Sequence, residues 1–175
     1  MSRVLTWLIR HERKMFLWAN YKINHSLSYH ILSRLTHLGG ATFTILATLV
    51  IGLFAAAPWN GVGLKALLAL AVSHLPVAII KRRYPRLRPY LVLPEAKACK
   101  NPLSDHSFPS GHTTAIFSVV MPFVFAAPIM GLVLIPLAAL VGFSRMYLGL
   151  HYPSDVAAGC AIGISTAAAA SFWVG

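Results

Sequence analysis

From Ala115 to Phe143 the chain runs 29 residues without an Asp, Glu, Lys or Arg, and from Leu38 to Ala57 it runs another 20. Such runs leave few folds open. About 20 apolar residues in an α-helix cross the roughly 30 Å of a bilayer's hydrocarbon. Inside hydrocarbon every backbone N–H and C=O needs a partner from the chain, and a helix supplies one locally. As one helix the longer run would measure about 43 Å, too much for a single crossing. Pro128 and Gly131 stand near its middle, where they can break it.

The remaining segments extend this pattern. Val62–Ile80 forms a further span with Lys65 near its start, and Val156–Val174 forms the last, rich in the small residues that let helices approach closely. Splitting the long run into 110–126 and 129–147 gives about five spans. The expected fold is all-α: a polytopic transmembrane helical bundle in one domain, residues 1–175, with the bundle over 38–174. Residues 1–36 interleave Trp7, Leu8, Ile9, Phe16 and Trp18 with Arg10, Arg13, Lys14 and Lys22. That alternation suits an interfacial arm of one or two amphipathic helices, or equally a peripheral arm packed on the bundle.

Charge composition agrees. Only 11% of residues are charged and 57% are hydrophobic, whereas a soluble domain carries about 25% charged residues. The net charge is +11, from 15 Lys and Arg against Glu12, Glu95, Asp105 and Asp155. With no soluble fold to present them, these cations point to membrane lipids and exclude nucleic acid as the partner. Cys99 and Cys160 do not make a disulfide framework and are read as free thiols.

With five spans, the polar loop after Ile80, the start of the third span, the end of the fourth and the start of the fifth share one membrane face with the arm. Of the 15 basic residues, 14 fall on that face, Lys65 being the exception. The positive-inside rule turns it toward the cytoplasm of a cell membrane. Three segments meet there: Lys81–Pro89 (KRRYPRLRP), Pro109–His112 (PSGH) and Ser144–Val156 (SRMYLGLHYPSDV). They bring cations, two histidines and one carboxylate together. Fixed cations bind a multiply charged anion, phosphate above all. A helix opening at Ser110-Gly111-His112 would add backbone N–H groups. Two histidines can divide phosphoryl transfer, one attacking phosphorus and one protonating the leaving oxygen. Asp155, four residues after His151, can orient that imidazole.

The three segments resemble the type 2 phosphatidic acid phosphatase superfamily, whose pattern is K-x6-RP, PSGH and SR-x5-H-x3-D. Here it reads Lys81…Arg88-Pro89, Pro109-Ser110-Gly111-His112 and Ser144-Arg145…His151…Asp155, with every internal spacing matched. The resemblance implies a helical bundle with a catalytic loop over 81–112. It implies His151 as nucleophile, His112 as general acid and Asp155 as the partner of His151. Lys81, Arg88, Ser110, Gly111 and Arg145 would hold the phosphate, with no metal and no cofactor. Membrane members usually have six spans, against the five read here.

The expected activity is removal of a phosphate from a lipid through a phosphohistidine. Undecaprenyl diphosphate, phosphatidylglycerophosphate and phosphatidic acid are the candidate substrates. Transfer of the phosphoryl group to an acceptor other than water, or silent lipid binding, are the alternatives. Arg82, Arg83 and Arg86 are expected to face headgroups or water, and His11, His25, His30 and His37 have no evident partner.

Overall fold

A computed structural model describes residues 3–173. Helix α1 (Arg3–Leu17) continues through a π turn at Trp18–Lys22, and α2 (Ser26–Leu35) runs into a 3₁₀ turn at Thr36–Gly39. Then come α3 (Ala41–Phe54), α4 (Trp59–Arg83), the single turn α5 (Pro89–Val92), α6 (Gly111–Ala126), a 3₁₀ turn at Pro128–Met130, α7 (Gly131–Tyr147) and α8 (Pro153–Trp173).

The bundle is built around α6. Every residue from Thr113 to Phe123 is buried, and α4, α7 and α8 pack on this helix. Its core hydroxyls are satisfied along the helix: Thr114 Oγ1 donates to Ser110 O at 3.0 Å and Ser118 Oγ to Thr114 O at 2.9 Å. The small residues of α8 serve this contact. A Cβ on Gly159 would lie 2.6 Å from Ser110 O, and one on Gly163 would lie 2.7 Å from Thr114 O. Ile116, Phe117, Val120 and Met121 fill the interior with Ala69, Val141, Ala167 and Ala170.

The all-helical class agrees with expectation; the count of five spans is not reproduced. Three segments have the length and composition to cross a bilayer: α4, Pro128–Tyr147 and α8. A fourth is reached only by counting α2 with its 3₁₀ turn and α3 as one span bent by 53°. The 20-residue run from Leu38 is cut at both ends. Gly40 takes extended backbone, so α3 starts at Ala41, and Ala55 ends it in the same conformation. A 14-residue helix rises only about 21 Å. Likewise α6 has 16 residues and is sheathed by protein rather than lipid. The break in the long run falls where expected, with Ala127 extended before Pro128.

Side-chain bonds gather the polar ends. Asn20 donates to Lys97 O and Tyr147 O, both at 2.9 Å, and accepts from Lys97 N at 2.8 Å. The first turn after α1 is thereby tied to the 81–109 loop and to the end of α7. Phe16, Leu93 and Tyr152 pack together beside that knot.

Candidate active site

His151 lies between α7 and α8 and is buried. Its Nε2 is 3.1 Å from Arg88 Nη1, and its Nδ1 is 3.6 Å from Asp155 Oδ2. The second separation is that of an ion pair and exceeds hydrogen-bond length. Asp155 is held from two other sides: Oδ2 accepts from Tyr152 N at 2.8 Å, and Oδ1 from Arg86 Nη1 at 2.8 Å. Burial pushes the His151 imidazole down to about 4; Asp155 pulls the other way, and the charges of Arg145 and Arg88 push it further down. At neutral pH the ring is therefore uncharged.

Arg88 is almost fully buried and spends its guanidinium on Asp105 O at 2.8 Å, Asp105 Oδ1 at 2.6 Å, Leu150 O at 2.8 Å and His151. Lys81, at the end of α4, reaches the other oxygen of Asp105 and the carbonyl of His106, the latter at 3.0 Å. Burial favours the protonated form of Asp105, but the hydrogen bonds and charges of Lys81 and Arg88 override it and hold the carboxyl at about 2.

Five of the eight expected site residues, Lys81, Arg88, Gly111, His112 and His151, line one cavity of about 350 Å³. A Cβ built on Gly111 would meet no atom within 4 Å. The protein's own packing leaves that position open, and the bare backbone at the start of α6 faces usable space. Asp155 stands behind His151. Ser110 is buried as the cap of α6, its Oγ 2.9 Å from Thr113 Oγ1 and its N–H donated to Asp155 O at 3.0 Å. Arg145 lines an adjoining cavity of about 580 Å³, which shares His112 and Leu103 with the first. Its Nη1 donates to Thr36 Oγ1 at 2.7 Å, while its buried Nε has no hydrogen-bond partner.

One expectation is corrected. Arg86, 31% exposed, is held by protein partners rather than left to headgroups or water. It bonds Asp155, Ser154 Oγ at 2.7 Å and Glu12 Oε2 at 2.7 Å, and it lies 4.0 Å over the ring of Tyr152. Glu12 in turn accepts from Ser154 N at 3.1 Å, capping the start of α8. Three residues that sequence reasoning passed over thus belong to the surroundings of the site: Glu12, Thr36 and Asp105. Scarcity of acids was the available signal. Only four occur, and each is ion-paired: Glu12 with Arg86, Glu95 with Arg13, Asp105 with Lys81 and Arg88, and Asp155 with Arg86.

An apolar helical bundle with two histidines, a buried carboxylate and fixed cations at one end defines a helical membrane protein with a polar site at one end of its bundle. The PAP2 superfamily model matches residues 62–175, and the chain belongs to that superfamily. It is 33% identical over 102 residues to the bacitracin transport permease protein BcrC of Bacillus licheniformis, covering 58% of this chain and 50% of that protein. It is 30% identical over 151 residues to phosphatidylglycerophosphatase B of Bacillus subtilis, covering 77% of this chain and 69% of that protein. The chain thus spans about half the length of the first relative. The crystal structure of LpxE from Aquifex aeolicus superposes with a TM-score of 0.82 at 24% identity, over 91% of this chain and 94% of that one.

Proposed function

We propose that the protein is an integral-membrane lipid phosphatase that works through a phosphohistidine. The observation that carries this reading is the single cavity shared by His112, His151, Lys81 and Arg88, with Asp155 behind His151. Nε2 of His151 attacks phosphorus, and the bond from phosphorus to the leaving oxygen breaks as His112 delivers a proton to that oxygen. Water then attacks the phosphohistidine. His112 takes up the water's proton, the P–N bond breaks and phosphate departs. Lys81, Arg88 and Arg145, with the backbone at Ser110 and Gly111, stabilise the charge on the five-coordinate transition state. Family membership and the relative named as a phosphatidylglycerophosphatase support this reading. The substrate is a phosphomonoester or diphosphate of a lipid, of the kind carried by undecaprenyl diphosphate, phosphatidylglycerophosphate or phosphatidic acid.

On the same proposal residues 1–175 act as one domain. The arm, of which residues 1 and 2 lie outside the described residues, lies at the membrane surface, and the site faces the cytoplasm of the cell membrane, as the six cations of the arm favour. Half-buried Cys99 reports the orientation: an impermeant thiol reagent added outside intact cells leaves it unlabelled, and rapid labelling reverses the assignment. The activity itself is tested by phosphate release from these lipids by the purified protein in detergent, with His151→Ala as control. Full turnover by that variant removes the mechanism.

A further inference from the structure

Helix α1 carries one acid, Glu12, and carries it on the apolar side. Leu8, Ile9, Met15 and Phe16 are its neighbours three and four residues away. A carboxylate among such side chains needs a partner. Of the 15 residues of α1, only Glu12, Phe16 and Leu17 are not exposed, so these three mark where the helix rests on the bundle. Phe16 is fully buried against Leu93 and Tyr152. Glu12, one turn earlier, reaches Arg86 and the start of α8, and only 17% of its side chain stays exposed.

From Glu12 a chain of contacts leads to the proposed nucleophile. Its Oε2 accepts from Arg86 Nη2 at 2.7 Å. Arg86 Nη1 donates to Ser154 Oγ at 2.7 Å and to Asp155 Oδ1 at 2.8 Å, and Asp155 Oδ2 faces His151 Nδ1 at 3.6 Å. Glu12 and Arg86 stand outside the phosphate cavity, so their effect on the chemistry is indirect. A guanidinium is a planar fork of N–H donors. Glu12 holds one prong, which leaves the other for a single oxygen of Asp155. Without that hold the fork is free to turn and take both carboxylate oxygens, the bidentate geometry it favours. Oδ2 would then be drawn off Nδ1, and Arg86 would cancel more of the charge that orients the ring.

We propose that Glu12 is a positioning residue for His151, acting through Arg86 and Asp155, so that the seating of α1 on the bundle completes the active site. The inference rests on the phosphatase reading and adds to it a residue of the arm, since the family match begins only at residue 62. Glu12 also accepts from Ser154 N at 3.1 Å, a structural contact that caps α8. The two roles come apart on substitution. Gln at this position keeps an oxygen for Ser154 N–H but has no charge with which to hold the guanidinium. Asp keeps the charge but sets it back by one methylene.

The experiment measures steady-state phosphate release by the purified full chain in detergent, on whichever of phosphatidic acid, phosphatidylglycerophosphate and a prenyl diphosphate the parent turns over fastest. The parent is compared with Glu12→Gln, Glu12→Asp, Arg86→Gln and the double variant Glu12→Gln/Arg86→Gln. The expected result is a kcat about five- to thirtyfold lower in Glu12→Gln with KM within about twofold, and a smaller loss of kcat in Glu12→Asp. In the double variant kcat stays within about twofold of Arg86→Gln alone, because the two residues act in one chain. A parent-like kcat in Glu12→Gln, a loss confined to KM, or losses that multiply in the double variant each overturn the inference while the phosphatase reading stands. If Glu12→Gln does not fold, Glu12→Asp decides: a kcat lowered about threefold or more at constant KM supports the inference, and a parent-like kcat overturns it. No release by the parent from any of the three lipids overturns the phosphatase reading and the inference with it.

Discussion

Arg88 Nη1 lies 3.1 Å from Nε2 of His151, and a guanidinium can only donate. That nitrogen therefore carries the ring's lone pair, and the proton sits on Nδ1, which faces Asp155 Oδ2 at 3.6 Å. The Arg88 contact selects the tautomer that the proposed attack through Nε2 needs, and the charge of Asp155 favours the same proton position. Replacing Asp155 by Asn offers an amide that can face Nδ1 with its NH₂ group and select the opposite tautomer. We expect Asp155→Asn to slow phosphohistidine formation by about 10²–10⁴-fold, the range seen when an orienting carboxylate is neutralised. Rapid-quench trapping of the labelled intermediate measures this. An unchanged burst would mean that Asp155 has no part in orienting the ring.

The same ring contributes one limb of the pH profile. Burial first, and the charges of Arg145 and Arg88 after it, place its titration at about 4 despite Asp155. The protonated imidazolium cannot attack, so kcat/KM falls as pH drops through about 4, and His151 contributes no inflection between about pH 5.5 and 8. Stability carries the same sign. The unfolded chain takes up the proton near the ordinary value of 6.5 while the folded chain resists it, so the folded state loses ground as pH falls from there toward about 4. An acid limb for His151 near 6.5 in single-turnover experiments would contradict the buried, neutral ring.

Arg86 positions this machinery without touching the phosphate cavity. It joins Asp155 to Glu12 and Ser154, so its loss leaves Asp155 Oδ1 buried without its cation. A hydrogen bond to a charged group contributes about 1.5–3 kcal/mol, which corresponds to roughly a 10- to 100-fold fall in kcat for Arg86→Gln. KM should stay within about twofold. Arg86→Lys should recover part of the rate only, because one ammonium cannot span the three acceptors of a planar fork. A loss confined to KM would instead return Arg86 to the headgroup role that its sequence position suggests.

What could be read from the chain depended on the range of the interaction. Spacings inside one segment are local: His151 and Asp155 stand 3.6 Å apart, and Lys81 and Arg88 share Asp105. The Glu12–Arg86 pair is separated by 74 residues. It depends on how Phe16 packs against Leu93 and Tyr152, which no periodicity encodes. Hydropathy alone also overstated the Leu38–Ala57 helix, because Gly39 and Gly40 pass as neutral in such a sum. Yet a Cβ on Gly39 would lie 2.7 Å from His112 O, so the glycine serves a close approach to α6 and the helix begins after it. His30, which has no partner in the sequence reading, lines a cavity with Arg34 one helical turn on and Lys100 of the 84–110 loop.

Arg145 tests the electrostatic contribution. Its side chain is buried, anchored to Thr36, and has a donor left over. Removing one preorganised donor to a transition state costs about 10²–10³ in rate. Arg145→Ala should show that loss on every lipid phosphate. Arg145→Lys should remain impaired, since an ammonium cannot reproduce both the Thr36 bond and the free Nε–H. Turnover by Arg145→Ala within a few-fold of the parent enzyme would place the transition-state charge elsewhere.

Asp105 makes the least intuitive prediction. Its carboxylate bridges Lys81 and Arg88, the two cations proposed to hold phosphate, so it competes for them with the phosphate oxygens. Held at about 2, it stays ionised throughout any practical assay, so any pH dependence of the competition comes from the ionisation of phosphate itself. Its side chain is 54% exposed, so solvent screens the pair and the effect is modest. We expect Asp105→Asn to lower the inhibition constant of inorganic phosphate by about three- to tenfold and to slow turnover where product release limits it. The inhibition constant at pH 6 and pH 8 is the measurement. A weaker grip on phosphate in the variant would show the opposite role, in which Asp105 holds the two cations in place for the ligand.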